Sequence, residues 1–60
     1  MSTQPEALLT VKNVAAALGV HQNYIYDLVS HGDLPSYKIG GMRRFRPADV
    51  EAWLETRRAN

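Results

Sequence analysis

Cysteine is absent from the 60-residue sequence. Disulfide bonds and cysteine-ligated zinc are therefore excluded as the features that stabilise so short a chain. The sequence also has no apolar run of about 18 residues, and its N-terminus lacks the basic and apolar segments of a signal peptide. We therefore expect no membrane span, no signal peptide and a cytoplasmic location.

Residues that could carry catalysis or bind a metal are also scarce. No nucleophile, base and orienting group occur together, and Gly40-Gly41 lacks the strand-to-helix context of a phosphate-binding loop. His21 and His31 lie at the two ends of one predicted helix, a spacing that needs a third, distant ligand to form a metal site. We predict a protein that is not an enzyme and that uses no metal, cofactor or small-molecule substrate.

Charge is small in total but unevenly distributed. The formal net charge is +1, yet residues 38–46 contain four cations and no acid: Lys38, Arg43, Arg44 and Arg46. A short segment of concentrated positive charge is typical of sites that contact the phosphates of nucleic acid.

The first half of the chain predicts two short helices joined by a glycine turn. Thr10 is a good N-cap for a helix over residues 11–18, and Gly19 supplies the left-handed residue that ends it. A second helix begins at His21 or Gln22 and ends before Gly32. The apolar residues that recur on the buried faces are Val11, Val14, Ala15 and Leu18, followed by Ile25, Leu28 and Val29. Such a pair presents its second helix to the major groove of DNA.

The second half predicts a β-hairpin and a third helix. We expect strands at residues 37–39 and 43–46, a Gly40-Gly41 turn extended by Met42, and Ile39 and Phe45 facing the core. Pro47 begins a helix that runs to about Arg57, in which Val50, Trp53 and Leu54 form the apolar face and Trp53 anchors the core. The predicted fold is mainly α with a small β-hairpin, a winged helix-turn-helix over residues 8–58 after a flexible lead-in at residues 1–7.

Two groups of residues are candidates for contact with double-stranded DNA. The second helix offers polar side chains that can bond to base edges or phosphates: Gln22, Asn23, Tyr24, Tyr26, Asp27 and Ser30. The hairpin offers Lys38, Gly41, Met42, Arg43, Arg44 and Arg46, with the basic side chains solvated. Arginines beside a Gly-Gly tip favour phosphate or minor-groove contact. For Tyr24, packing against the hairpin is the alternative to a DNA contact.

Residues 8–54, LLTVKNVAAALGVHQNYIYDLVSHGDLPSYKIGGMRRFRPADVEAWL, resemble the excisionase-type, MerR-like winged helix. The most specific part is HGDLPSYKIGGMRRFRPADVEAWL, with its glycine, acid, Leu-Pro, basic hairpin and closing Trp-Leu. The resemblance implies excisionases of phages or mobile elements, also called recombination directionality factors. Such proteins bind repeated sites cooperatively, bend DNA and direct an integrase toward excision.

Two residues depart from the pattern of that family. Asp27 occupies a position where members often carry arginine or lysine, and a carboxylate close to phosphate is repulsive. Asp27 therefore either accepts a hydrogen bond from a cytosine N4 or is paired with a nearby arginine. His21 replaces the more usual serine cap, which leaves two candidate starts for the second helix.

Three functions are compatible with these features. The leading hypothesis is an excisionase, the second is a small transcriptional regulator that binds promoter DNA, and the third is a protein-interaction module or anti-repressor. One hairpin and one short helix cover a footprint near the single-module range of about 600–1,000 Å². Because the sequence has no coiled-coil tail, we expect cooperative self-association on DNA rather than a stable dimer in solution.

Overall fold

The computed structural model describes residues 7–59, which form three helices and one antiparallel β-hairpin. The elements in chain order are α1 (Val11–Leu18), α2 (Gln22–Ser30), β1 (Tyr37–Ile39), β2 (Met42–Arg44) and α3 (Pro47–Thr56). This order is the predicted winged helix-turn-helix, with the hairpin as the wing. Of the predicted lead-in, residues 1–6 lie outside the described residues. Within residues 7–59, no helix has both the length and the apolar character that crossing a bilayer requires.

Local hydrogen bonds determine where α1 begins. The Oγ1 atom of Thr10 accepts a hydrogen bond from the backbone N–H of Asn13 at 3.0 Å. In return, the Thr10 N–H donates to Oδ1 of Asn13 at 3.1 Å. This capping box satisfies backbone donors that the first turn of a helix leaves without partners. The predicted N-cap at Thr10 is confirmed.

The turn between α1 and α2 depends on Gly19. Its φ of +71° is in the left-handed region, which costs about 1–2 kcal/mol for a residue with a Cβ atom. The next N–H, that of Val20, donates to the carbonyl of Ala15 at 3.0 Å and closes the end of α1. His21 then occupies the N-cap position of α2 without a side-chain cap hydrogen bond, so α2 begins at Gln22.

The wing turns through two residues only. Gly40 and Gly41 have φ values of +59° and +81°, the two positive values that a type I′ turn requires. The prediction that Met42 extends the turn is wrong, because Met42 is the first residue of β2 and pairs with Ile39.

Because the turn is one residue shorter than predicted, the register of the hairpin differs from the predicted register by one residue. Directly opposite residues share a face, so Ile39 lies with Met42 on the face opposite Phe45. Ile39 is 53% exposed and Phe45 is fully buried. The prediction for Phe45 is therefore confirmed, and the prediction that Ile39 faces the core is wrong.

Phe45 also ties the wing to the start of α1. Its N–H donates to the carbonyl of Leu9 at 2.8 Å, and the Leu9 N–H donates to the carbonyl of Phe45 at the same distance. This isolated antiparallel bridge places the segment before α1 along the edge of β2. The beginning of α1 and the basic strand are consequently neighbours in space.

The core lies between the helices and the base of the wing, and it includes Leu34 from the loop that follows α2. Leu34 is 1% exposed. The N–H groups of Asp33 and Leu34 both donate to the Leu28 carbonyl, which turns the chain inward after α2. In contrast, Leu54 is 40% exposed and does not join the buried face of α3. The buried residues are Val11, Val14, Ala15, Ile25, Leu28, Leu34, Phe45 and Val50, with Leu9, Leu18, Val29 and Trp53 half-buried against them.

Candidate nucleic-acid interface

The outward face of α2 is polar and exposed. Ile25 and Leu28 are buried on the opposite side of the helix. Because successive helical residues are about 100° apart, the centre of the outward face is formed by Asn23, Asp27 and Ser30, which are all exposed. Gln22 is also exposed, in the first turn. This face is accessible to the edges of bases.

Two tyrosines lie on opposite flanks of that face. Tyr26 is 48% exposed and faces the wing across a groove. Tyr24 is 40% exposed and directs its ring edge-on to Trp53 of α3, with centroids 6.4 Å apart and an interplanar angle of 69°. Of the two alternatives for Tyr24, packing against the wing is not observed, since its aromatic partner Trp53 belongs to α3.

A groove between the start of α1, Tyr26 and the wing gathers basic side chains, and we call it the cationic groove. It is lined by Thr10, Val11, Lys12, Tyr26, Lys38, Gly41, Met42, Arg43 and Arg44. Four of the seven lysines and arginines of the chain are in this lining, and among residues 7–59 the lining includes no acid. Because no carboxylate from the described part of the chain lines the groove beside these cations, their field favours an anion.

The two arginines of β2 are held along the wing and are not fully solvated. Both are half-buried. The Nη1 atom of Arg43 donates to Oγ of Ser36 at 3.1 Å. Arg44 donates from Nη1 to the carbonyl of Arg43 at 2.8 Å and from Nη2 to Sδ of Met42 at 3.7 Å. The expectation that these residues remain solvated is wrong, but a guanidinium has five N–H donors and these bonds use few of them.

The groove unites most of the predicted wing residues and adds one that was missed. Lys38, Gly41, Met42, Arg43 and Arg44 line it, whereas the exposed Arg46 is the N-cap residue of α3 and is not part of the lining. The added residue is Lys12 of α1, which the sequence does not identify as a candidate for DNA contact. Nothing near Lys12 in the sequence signals this role, since its position depends on the bridge between Leu9 and Phe45.

Asp27 is an exposed carboxylate that forms no ion pair with another residue of the described range. Among residues 7–59, no lysine, arginine or histidine lies within ion-pair distance of it, and the ion pair described there joins Arg58 to Glu55 at 3.6 Å. The imidazole Nδ1 of His31 donates to the backbone carbonyl of Asp27 at 2.7 Å, and so does not engage its carboxylate. Of the two alternatives for Asp27, pairing with a nearby arginine is therefore not observed. The described residues also contain no group of three or more His, Cys, Asp or Glu side chains that could hold a metal ion.

A second, apolar groove lies on the Tyr24 flank of α2. It is lined by Leu18, Val20, Tyr24, Trp53, Leu54 and Arg57. The guanidinium of Arg57 lies 5.4 Å from the centre of the Trp53 ring, a cation–π contact. Trp53 is half-buried and packs against the core, as expected of an anchor. The apolar groove and the cationic groove are thus separated by the outward face of α2.

Comparisons with known proteins agree with this architecture. The model of the helix-turn-helix domain family matches residues 8–58. Two relatives from Mycobacterium tuberculosis, one from strain CDC 1551 / Oshkosh and one from strain ATCC 25618 / H37Rv, are 41% identical over 49 residues and are named putative DNA-binding proteins. The match covers 82% of this chain and 63% of each relative, so this chain spans less than two thirds of their length. No solved structure matches at a significant level.

Proposed function

We propose that this chain, which belongs to the helix-turn-helix domain family, binds double-stranded DNA through α2 and the cationic groove. The observation that carries the proposal is the lining of that groove, where four cations and, within residues 7–59, no acid lie beside the outward face of α2. Phosphate groups supply most of the affinity of a protein for DNA, and cations without acidic neighbours bind them best.

In this arrangement α2 enters the major groove and reads bases. Its exposed polar residues Gln22, Asn23, Asp27 and Ser30 reach base edges, and Tyr26 lies between these residues and the wing. We assign Tyr24 a positioning role, because its ring packs on Trp53 and holds that flank of α2 against α3.

The cationic groove contacts the sugar-phosphate backbone next to the major groove. Lys38, Arg43 and Arg44 approach it from the wing, and Lys12 approaches it from α1. Backbone contacts of this kind fix the position of a protein on DNA and carry no sequence information directly. Specificity then depends on α2.

The finer proposal is that the DNA is an attachment region of a phage or mobile element, and that the protein acts as an excisionase. It is supported by the resemblance of residues 8–54 to that family. In this role the chain binds repeated sites, bends the DNA and directs an integrase toward excision. Because one short helix and one hairpin cover a small footprint, neighbouring copies associate on adjacent sites and strengthen each other's binding.

The test is a footprint on the DNA that flanks the gene, including any attachment site, at two salt concentrations. The wild type is compared with an Arg43→Ala, Arg44→Ala double variant. An Arg57→Ala, Arg58→Ala double variant serves as the matched control, because it removes the same charge from residues outside the cationic groove. Circular dichroism verifies that each variant is folded.

Each result has a distinct meaning. Protection of tandem repeats in an attachment region, lost at high salt and in the Arg43, Arg44 variant but retained in the control, is the expected outcome. Protection confined to a promoter replaces the excisionase role with that of a transcriptional regulator. A complete lack of salt-sensitive protection overturns DNA binding and leaves the protein-interaction module.

A further inference from the structure

Asp27 is unusual among the groups that α2 presents to DNA. It lies on the outward face, next to Asn23 and Ser30, and it is the only acid of that helix. Within the described residues no cation neutralises its carboxylate. The role that we infer for Asp27 rests on the DNA-binding function proposed for this face.

An unpaired carboxylate is costly at such an interface. It is repelled by phosphates, and it loses hydrogen bonds to water when the helix enters the groove. The penalty is offset only if the DNA provides a hydrogen-bond donor in the same place, because an ionised carboxylate accepts hydrogen bonds and cannot donate them.

The major-groove edges of the four bases differ in what they offer a carboxylate. Guanine presents two acceptors, N7 and O6, and thymine presents the O4 acceptor beside a methyl group. Adenine presents its N6 amino group next to the N7 acceptor, which repels a carboxylate. Cytosine presents its N4 amino donor alone. We propose that Asp27 is a specificity-determining residue that selects cytosine at one position of the binding site.

Asp27 lies apart from the cationic groove, whose side chains we propose contact phosphates. Tyr26 lines the cationic groove, and Asp27 is about 100° farther around the helix, away from the lining. The cations of the groove therefore hold the backbone on one flank while the carboxylate of Asp27 faces the bases. His31, one turn later, is bonded to the carbonyl of Asp27 and leaves the carboxylate available.

The first experiment selects bound sequences from a randomised duplex library with the wild type, Asp27→Ala and Asp33→Ala. Asp33 is the matched control, because it is an exposed acid outside α2 and its removal changes the net charge equally. We expect the wild type and Asp33→Ala to enrich cytosine at one shared position by about tenfold. Asp27→Ala should lose the preference there and retain the preferences at other positions.

The second experiment removes the 4-amino group from the DNA, and the Asp27→Ala variant controls for the weaker base pair that results. In the selected duplex the cytosine is replaced by pyrimidin-2-one, which lacks the 4-amino group. The wild type should bind this duplex about tenfold more weakly, whereas Asp27→Ala should bind both duplexes equally. If Asp27→Ala retains the cytosine preference or raises affinity for every sequence equally, the cytosine assignment is overturned while DNA binding stands. If the wild type enriches no sequence and shows no salt-sensitive binding, the proposed function itself fails.

Discussion

Lys12 gives the sharpest quantitative prediction, because only the three-dimensional structure places it in the cationic groove, for which we propose DNA contact. It is exposed and lines the cationic groove together with Lys38, Arg43 and Arg44. The substitution Lys12→Gln removes the charge and keeps a long polar side chain at a helical position that tolerates glutamine. We expect weaker DNA binding and unchanged stability.

The size of the effect follows from the number of phosphates that the groove neutralises. Each neutralised phosphate contributes about −0.9 to the slope of log affinity against log salt concentration, so four cations predict about −3.6. Affinity should then fall about 150-fold between about 50 and 200 mM salt. With Lys12→Gln the slope becomes about −2.7 and the fall about 40-fold.

The assay is fluorescence anisotropy of a labelled duplex, measured over a series of salt concentrations. Arg43→Gln should lower the slope by a similar amount. Arg58→Gln is the matched control, because Arg58 is exposed near the end of α3, pairs with Glu55 and lies outside the groove. Its slope should equal that of the wild type.

Two results would refute this reasoning. If Lys12→Gln leaves the slope unchanged while Arg43→Gln lowers it, the DNA backbone contacts the wing but not α1. If Lys12→Gln and Arg58→Gln lower the slope equally, affinity depends on total charge and the groove has no special role.

Three further substitutions test the fold. Phe45→Ala should lower the free energy of unfolding by about 3–5 kcal/mol because the ring is fully buried; a loss under about 1 kcal/mol in urea titrations would contradict this. Thr10→Ala should cost about 1 kcal/mol through loss of the capping box, and Thr10→Ser should restore most of it in thermal melts. Gly19→Ala should lower the free energy of unfolding by about 1–2 kcal/mol through backbone strain alone, because an added Cβ meets no atom within 4 Å beyond the adjoining residues. An unchanged melting temperature would show that the turn relaxes.

Helix ends that depend on local chemistry were predictable from the sequence. The hydroxyl of Thr10 caps α1, Gly19 ends it with a positive φ, and Pro47 is in the first turn of α3. Each of these features involves residues only a few positions apart. The predicted bounds of α1 therefore match the structure, and the end of α3 differs by one residue.

The sequence did not predict the register of the wing correctly, because the register depends on the exact length of one turn. A three-residue turn would have placed Ile39 on the face of Phe45, and the observed two-residue turn places it on the other face. An error of one residue thus reversed the orientation of every side chain in β1 relative to the core.

Contacts between segments that are distant in the sequence account for the remaining differences between the predicted and the observed site. The position of Lys12 beside the wing requires the bridge between Leu9 and Phe45, and the contact of Tyr24 with Trp53 requires α2 and α3 to pack together. Neither partner can be read from periodicity, which describes one element at a time. The basic segment was recognisable, but not the groove that it completes.

The most direct test of the proposed interface is an NMR titration of the ¹⁵N-labelled chain with a duplex that it binds. We predict that the largest chemical-shift changes occur in α2, at Lys12 and at the glycines of the wing turn, and that residues 51–58 change little. Changes concentrated at Val20, Leu54 and Arg57 would instead place the ligand in the apolar groove and contradict DNA binding through α2 and the cationic groove.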